Sequence, residues 1–331
     1  MVSNMSTEYV EKFGYRKYTG RTNSRLKRVF NLAWFEMSST WRKSTFGKVL
    51  LIIILIINFF SLLALVTISP FLAESSELEK LEYVRRELSN IISYYLSIGN
   101  QSFKPEGLGF GFTISINIGF LLIPLLGIAG SGMFADDKQG HLVEIYLSKL
   151  RRSEYAMGKI GAIFLYNNII ITLPMILISF MYVQGFGEDH FKFLDLYVLI
   201  IIFGFISSLF LGMFILVLSI VVEKRSYASL SFFLLYFLGS IFGQLVYQLN
   251  RSNEYLLLIP SATFFVLLGF SIMGMWDLEQ TEFFGIITDK LNLNDGQGLE
   301  FYHFWFTAIF LTIILSLFLY IRLRRLTTKE L

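Results

Sequence analysis

Long runs of apolar residues alternate with short polar stretches along most of the chain. A helix that crosses the roughly 30 Å hydrocarbon core of a bilayer needs about 20 apolar residues, and six runs outside residues 254–300 reach that length. The pattern therefore predicts an all-α polytopic membrane protein with six transmembrane helices. The predicted spans cover residues 46–70, 108–134, 160–182, 196–222, 227–249 and 302–321.

A seventh apolar run, residues 256–276, precedes the last span, and the distribution of charge decides how it is interpreted. With six spans and both termini in the cytoplasm, about three quarters of the 28 Lys and Arg residues lie on the cytoplasmic side, as the positive-inside rule requires. A seventh span would place the basic C-terminal tail outside. We therefore expect residues 254–300 to form a re-entrant pair of half-helices, broken near Pro260 and Ser261, followed by an acidic outer segment.

Composition supports a membrane protein and excludes several kinds of site. Apolar residues make up 54% of the 331 residues, and the chain contains no Cys, so it has neither a disulfide nor a thiolate ligand. The net charge of +3 is small, which argues against nucleic acid as a partner. No GxxxxGK[ST] motif occurs, so the chain has no P-loop that would bind a nucleotide.

The interiors of the predicted spans contain no Asp, Glu, Lys or Arg, which argues against a carrier driven by protons or sodium ions. Four amides are candidates for a translocation path: Asn117, Asn167, Asn168 and Gln244. Hydrogen bonding between helices is their alternative role. Gly239 and Gly243 form a GxxxG motif, a candidate contact between subunits. The three His residues lie in separate segments, so we expect neither a metal site nor a catalytic group.

Residues 1–45 are interpreted as a cytoplasmic tail that leads into an amphipathic helix. Apolar residues between positions 26 and 41 form a stripe opposite a basic face, which is typical of a helix lying in the headgroup plane. Leu32, Phe35 and Glu36 interrupt the partition of the two faces. For this helix, a plain membrane anchor is the alternative to a surface on which another protein docks. The candidate functional residues of this helix are Arg28, Phe30, Trp34 and Trp41.

The loop at residues 71–106 is acidic but contains apolar residues at helical spacing. It predicts an outer amphipathic helix that packs on the protein or on an extracytoplasmic partner. The stripe consists of Leu78, Leu81, Val84, Leu88, Ile92 and Tyr95. Asn100 and Asn250 each begin an Asn-x-Ser sequon on a predicted outer loop, so both are candidate glycosylation sites.

Residues 135–159 form the longest strongly polar segment between two spans in the middle of the chain. Asp136 and Asp137 suit the start of a short helix. Ser153 is expected to cap the next helix, with Glu154 in its first turn. The apolar face of the short helix would carry Leu142, Ile145, Tyr146 and Leu150. Such a helix between two spans predicts a docking surface for another protein, and a solvated loop on the bilayer surface is the alternative.

The same segment resembles the cytoplasmic signature of ABC-2 type permeases, the membrane-spanning subunits of one class of ATP-binding cassette transporters. That signature is roughly Gly-Thr-Leu-Glu, an apolar run, Ser-Pro-Leu-Ser-Arg-Arg-Glu, four residues and Gly-Lys. This chain departs from it at His141, at Val143 and Glu144, and at Lys149, which replaces the Pro. The residues that match are Gly140, Leu142, Ser148, Leu150, Arg152, Glu154, Gly158 and Lys159.

The resemblance implies a permease subunit in the plasma membrane, paired with a second copy or a paralogue and surrounded by lipid. Each permease would dock a separate cytoplasmic ATPase, which would bind the ATP and Mg²⁺, so that this chain itself is not an enzyme. Arg152 and Glu154 would anchor the ATPase beside the apolar face of the short helix. The cargo would be an amphipathic or lipid-like substrate, a peptide or a drug, moved outward. Mechanical transmission to an extracytoplasmic partner, through residues 71–106 and 277–300, is the alternative.

Overall fold

The computed structural model describes residues 24–68, 77–97, 118–249, 258–274 and 302–329. Every regular element within these ranges is helical. The α-helices, numbered in chain order, are α1 (Arg25–Lys43), α2 (Thr45–Ile68), α3 (Glu77–Ser93), α4 (Ile118–Gln139), α5 (Leu142–Lys149), α6 (Arg152–Ile170), α7 (Thr172–Gly185), α8 (Leu194–Val221), α9 (Arg225–Leu249), α10 (Ala262–Met273) and α11 (Tyr302–Lys329).

The long apolar helices lie over the spans predicted from the sequence. Within the described residues, α4, α6 with α7, α8, α9 and α11 are each long and apolar enough to cross a membrane. Helix α2 passes the same test together with α1, from which it is bent by 83°. The break between α6 and α7 follows from Pro174, which has no amide hydrogen to bond to the carbonyl of Ile170. The prediction of an all-α polytopic membrane protein is confirmed.

Helix α8 lies at the centre of the bundle and packs against α4, α6, α7, α9, α10 and α11. Glycines allow this close approach, because a Cβ atom on Gly130 would collide with Ile215 and one on Gly204 would collide with Thr172. Inside a bilayer the hydrophobic effect does not drive helices together, so the close van der Waals packing that small residues permit stabilises such contacts. Exposed apolar side chains cover much of α2, α9 and α11, which therefore form the periphery of the bundle.

The two ends of the bundle are distinguished by the short helices that they carry. At one end, which we call the α5 end, α4 and α8 finish and α6 and α9 begin. The opposite end, the α3 end, carries α3 and the start of α8. Arg85 of α3 makes two hydrogen bonds to Asp195 of α8, at 2.6 and 3.0 Å. After α3 the chain is buried in the bundle, and the carbonyl of Leu96 accepts a hydrogen bond from the hydroxyl of Tyr236 in α9 (2.9 Å).

The amphipathic helix predicted between residues 78 and 95 is present as α3 and the 3₁₀ turn Tyr94–Leu96 that follows it. Val84, Leu88 and Ile92 of the predicted stripe are fully buried against other helices of the same chain. Of the two alternatives, packing on the protein is therefore the one that the structure contains. The buried stripe makes α3 a part of the bundle.

Helix α10 is a short buried helix at the α3 end. Its 12 residues extend about 18 Å, too short to cross the roughly 30 Å hydrocarbon core. All of its side chains are buried, and the hydroxyl of Ser261 accepts a hydrogen bond from the amide of Phe264 at its start. The position agrees with the half-helix expected after Pro260. The half-helix expected before it lies mostly outside the described residues, which here begin at residue 258.

Candidate functional site

The polar segment at the α5 end begins inside α4. Asp136 and Asp137 lie in the last turn of α4, so the prediction that they start a helix is wrong. The last turn is held by Lys138, whose ammonium donates hydrogen bonds to the carbonyls of Ile220 (2.9 Å) and Val222 (2.8 Å). These carbonyls at the end of α8 have no partner within their own helix, which is why a cation is stabilised there.

A single hydroxyl joins α4 to α8 one turn earlier. The Oγ atom of Ser219 in α8 accepts hydrogen bonds from the amides of Phe134 (3.0 Å) and Ala135 (3.1 Å). The same hydroxyl donates to the carbonyl of Ser131 (2.7 Å), and all of these atoms are buried. Buried hydrogen bonds of this kind fix the register of the two helices, because breaking them would leave polar groups unsatisfied.

A tight turn at Gly140 and His141 reverses the chain into α5. The amide of Gly140 bonds to the carbonyl of Asp136 (2.9 Å), and His141 adopts a left-handed conformation with φ of 53°. A non-glycine residue in this region is uncommon. The family signature has Thr where this chain has His141, so the turn is at a position where the sequence departs from the signature.

Helix α5 exposes part of its predicted apolar face. The side chain of Leu142 is 39% exposed and that of Ile145 is 58% exposed. Tyr146 and Leu150 are half-buried and pack against the core of the bundle. The side chain of Ser148 lies outside the described residues. The four predicted contact residues are thus divided between an exposed pair and a pair that attaches the helix to the bundle.

Lys159 is the centre of a buried charge cluster behind α5. Its side chain is fully buried, and its ammonium lies 2.8 Å from a carboxylate oxygen of Glu36 in α1 and 2.7 Å from one of Asp137 in α4. The hydroxyl of Tyr155 donates a hydrogen bond to the same Asp137 oxygen (2.6 Å). Because a buried charge is tolerated only when it is paired, the cluster ties three helices together.

The cluster extends to α5 through two stacked tyrosines. The rings of Tyr146 and Tyr155 are 5.6 Å apart with an interplanar angle of 28°. The hydroxyl of Tyr146 donates to Glu36 at 3.4 Å. Burial, followed by the nearby Glu36 and Asp137 carboxylates, raises the pKa of Tyr146 to about 12, so the hydroxyl keeps its proton at neutral pH.

Glu154 both starts α6 and binds α1. Its carboxylate accepts a hydrogen bond from the amide of Arg151 (3.2 Å) and pairs with the guanidinium of Arg28 (2.8 Å). The helix begins at Arg152, with Arg151 at the capping position, so the prediction that Ser153 caps it is wrong. The carboxylate of Glu154 instead satisfies the amide of Arg151, as in a capping box, and the helix starts one residue before Ser153.

Helix α1 runs along α6 in the same direction. Leu32 occupies the space left by Gly158, where a Cβ atom would collide with it. Farther along, the rings of Trp41 and Tyr166 pack edge to face, with their centroids 6.0 Å apart. The opposite face of α1 exposes the large apolar side chains of Phe30 (60%) and Trp34 (56%). Helix α1 therefore has one face on the protein and a second apolar face that is left for lipid or a partner.

The start of α9 is attached to the same end of the bundle. The guanidinium of Arg225 donates to the carbonyl of Ile128 (2.9 Å) and lies 3.6 Å from the carboxylate of Asp136. The side-chain amide of Gln139 donates to the carbonyl of Glu223 (3.0 Å) in the turn before α9. The last turn of α4 is therefore bonded to α6, α8 and α9 at once.

The two predicted translocation-path amides that the structure describes, Asn167 and Asn168, both donate hydrogen bonds to backbone carbonyls. Asn167 is fully buried and donates a hydrogen bond to the carbonyl of Ser208 in α8 (3.0 Å). Asn168 donates to a carbonyl one turn earlier in α6 (2.8 Å). Asn117 and the side chain of Gln244 lie outside the described residues. The bond made by Asn167 is the interhelical kind that the alternative interpretation named.

The remaining predicted residues lie away from the α5 end. Gly239 of α9 faces Pro260 of the same chain, whose carbonyl oxygen would be 3.4 Å from a Cβ atom on the glycine. Gly243 lies one turn farther along α9. The sequon residues Asn100 and Asn250 lie outside the described residues. Within the described ranges, no group of three or more acidic or His side chains could hold a metal ion.

Sequence reasoning missed the partners of the buried lysine. Glu36 was visible only as a residue that interrupts the apolar stripe of α1, and Tyr155 had no signal at all. An acid in an otherwise apolar helical face is the one clue that the sequence contained, because a buried carboxylate requires a cation. Lys159 itself was found through the signature, which gives no indication that it is buried.

Comparison with known families identifies the chain. A family model described as ABC-2 family transporter protein matches residues 30–331. The chain belongs to this family. It is accordingly a multi-pass membrane protein and the permease component of an ABC transporter. None of the curated proteins matches it.

Proposed function

We propose that this permease exports an amphipathic or lipid-like substrate, a peptide or a drug across the plasma membrane, driven by two separate cytoplasmic ATPase subunits. The α5 end and both termini then face the cytoplasm, as the charge distribution favours. ATP and Mg²⁺ bind to the ATPases, since the chain has no P-loop. A second copy of the chain, or a paralogue, completes the membrane part of the transporter.

The observation that carries the proposal is the exposure of Leu142 on a helix that is anchored to the bundle one turn farther along. Leu142 is the first residue of α5 and is 39% exposed. Tyr146, one turn later, is stacked on α6. A small apolar surface on a rigid support is suited to a pocket on another protein, because few side chains need to be ordered on binding.

Movement of α5 has a direct route to the spans. Through Tyr146 it would act on Glu36 of α1 and, by way of Tyr155, on Asp137 of α4. The bonds of Lys138 and Arg225 continue from α4 to α8 and α9. A displacement imposed by the ATPase would therefore reach several spans without passing through a flexible linker.

Transport is favoured over mechanical transmission to an outer partner. That alternative used the apolar stripe of α3 as a docking surface, and Val84, Leu88 and Ile92 are instead buried within the chain. Residues 71–76, 98–106 and 277–300, which belong to the same proposed surface, lie outside the described ranges. The amides Asn167 and Asn168 stay candidates for the path, with Asn168 the more accessible of the two.

Replacing Leu142 with Asp tests the proposal. A carboxylate at the centre of an apolar contact opposes burial, so we expect the purified Leu142→Asp permease to lose its ATPase and transport to stop. Phe191→Asp is the matched control, because Phe191 is 80% exposed at the α3 end. Both variants are compared with the parent by copurification of the ATPase and by its rate of ATP hydrolysis. Retention of the ATPase by Leu142→Asp with unchanged transport would defeat the assignment.

A further inference from the structure

The cation of Lys159 holds together groups that would otherwise repel each other. The carboxylates of Glu36 and Asp137, one from α1 and one from α4, each approach the ammonium within 2.8 Å. Their side chains are 12% and 8% exposed, and that of Lys159 is 0% exposed. Two carboxylates this close, shielded from water, are stable together only with a cation between them.

The same cation lies against both aromatic rings that attach α5. The ammonium of Lys159 is 5.6 Å from the ring centroid of Tyr146 and 5.5 Å from that of Tyr155. These distances are within the range of a cation–π interaction, which strengthens when the cation is desolvated. The hydroxyls of the two tyrosines point to the two carboxylates. Lys159 therefore contacts both the carboxylate to which Tyr146 is hydrogen-bonded and the ring on which it is stacked.

Helix α5 depends on such contacts for its position. It has 8 residues, about two turns, and isolated helices of that length are not stable in water. Two non-helical residues separate it from α4 and two from α6, so neither neighbouring helix continues into it. Its neighbours in the bundle are chiefly α4 and α6. Val143 is buried, Leu147 packs against the core, and the half-buried ring of Tyr146 links the helix to the charge cluster.

We propose that Lys159 is a positioning residue for the ATPase contact: its charge fixes Glu36, Asp137 and the two tyrosines, and thereby sets the orientation in which α5 presents Leu142. This inference rests on the proposed function of α5. Lys159, a residue of the signature, would then act on the ATPase contact through α5. Glu36, which lies outside the signature, would share this positioning role.

The absence of Cys allows a direct test with a spin label at a single introduced Cys. Lys149→Cys places a nitroxide on the exposed end of α5, two turns from Leu142. The label is attached in the parent, in Lys159→Met and in the neutral triple variant Glu36→Gln/Asp137→Asn/Lys159→Met. The triple variant removes all three charges, so it avoids the unpaired carboxylates that could unfold Lys159→Met. Met157→Cys, 55% exposed on α6, is the control site.

We expect the mobility of the label on α5 to rise several-fold in both variants while the label on α6 keeps the mobility of the parent. An immobile label at position 149 in the folded triple variant would overturn the inference, because the tyrosine stack would then suffice. A merely structural role of Lys159 would mobilise the label on α6 as well and would equally overturn it.

ATPase copurification is measured on the same samples and separates the two proposals. A labelled parent that retains the ATPase, together with variants that release both α5 and the ATPase, supports the positioning role and the proposed function. A parent that retains no ATPase, with α5 still released in the triple variant, would defeat the proposed function and leave the effect of Lys159 on α5 established.

Discussion

Gly158 determines how closely α1 approaches α6. A Cβ atom on this glycine would collide with the side chain of Leu32 and lie 3.1 Å from its Cβ atom. The Cδ end of leucine can rotate away, but its Cβ atom moves only with the backbone of α1. A side chain at position 158 would therefore push the backbone of α1 away from α6. The nearby pairs of Arg28 with Glu154 and Glu36 with Lys159 depend on this close approach.

We expect Gly158→Ala to lower the free energy of unfolding by about 1–3 kcal/mol, the usual cost of overfilling a packed contact. The measurement is unfolding of the purified permease by denaturant in detergent. Leu32→Ala removes the colliding side chain, so the two changes together should cost less than the sum of their separate effects. Strict additivity, or a Gly158→Ala protein as stable as the parent, would contradict the packing described.

At the scale of the elements, α3 and α10 fill the bundle opposite α5. They meet where Gly269 of α10 lies against Ser93, the last residue of α3. The ring of Tyr94 meets the edge of Phe270 at 5.4 Å, and the indole of Trp305 donates to the hydroxyl of Ser271 (2.7 Å). In the described residues, the α3 end thus combines side chains packed between helices with the Arg85–Asp195 pair, while the α5 end contains the buried charge cluster of Lys159.

Gly269→Ala should separate α3 from α10. A Cβ atom at this position would lie 2.7 Å from the Cα atom of Ser93, and a backbone atom cannot rotate away. We expect unfolding to become easier by about 1–3 kcal/mol. Gly239→Ala is the matched control, because its nearest neighbour is 3.4 Å away and alanine is favoured in a helix by about 0.5–1 kcal/mol. Equal stabilities of the two variants, measured by the same denaturant titration, would count against the α3–α10 contact.

Local pattern was enough to predict several elements. The apolar stripe through Val84, Leu88 and Ile92 predicted α3, because helical spacing depends only on neighbouring residues. The charge asymmetry and Pro260 together predicted a short helix where α10 lies. Both predictions needed no knowledge of which helices pack together.

Contacts between distant parts of the chain could not be read in the same way. Asp137 lies at the end of an apolar run, which suggested the start of a new helix, yet its burial depends on Lys159 and Tyr155 across a turn. Glu36 pairs with a lysine more than a hundred residues away, and no periodicity encodes that choice of partner. The start of α6 at Arg152 depends likewise on Glu154 turning back to the amide of Arg151.

For the whole molecule, the arrangement explains how one small surface can act on a large bundle. The last turn of α4 is bonded to α6, α8 and α9 through Asp137, Lys138 and the pair of Asp136 with Arg225. Helix α8 in turn packs against α10 and α11, which form part of the α3 end. A displacement of α5 would therefore reach α8 and α9 through the same turn of α4, and the α3 end through α8.

We propose above all that a nucleotide-hydrolysing partner binds the permease at α5. The most direct measurement is photo-crosslinking in intact membranes, with a photoreactive phenylalanine analogue in place of Leu142 and, as the control, in place of Phe191 at the opposite end. Mass spectrometry of the products then identifies the captured protein by its sequence. The account predicts a protein with a P-loop crosslinked at position 142 and absent at position 191; no such protein at position 142, or the same product at both positions, would contradict it.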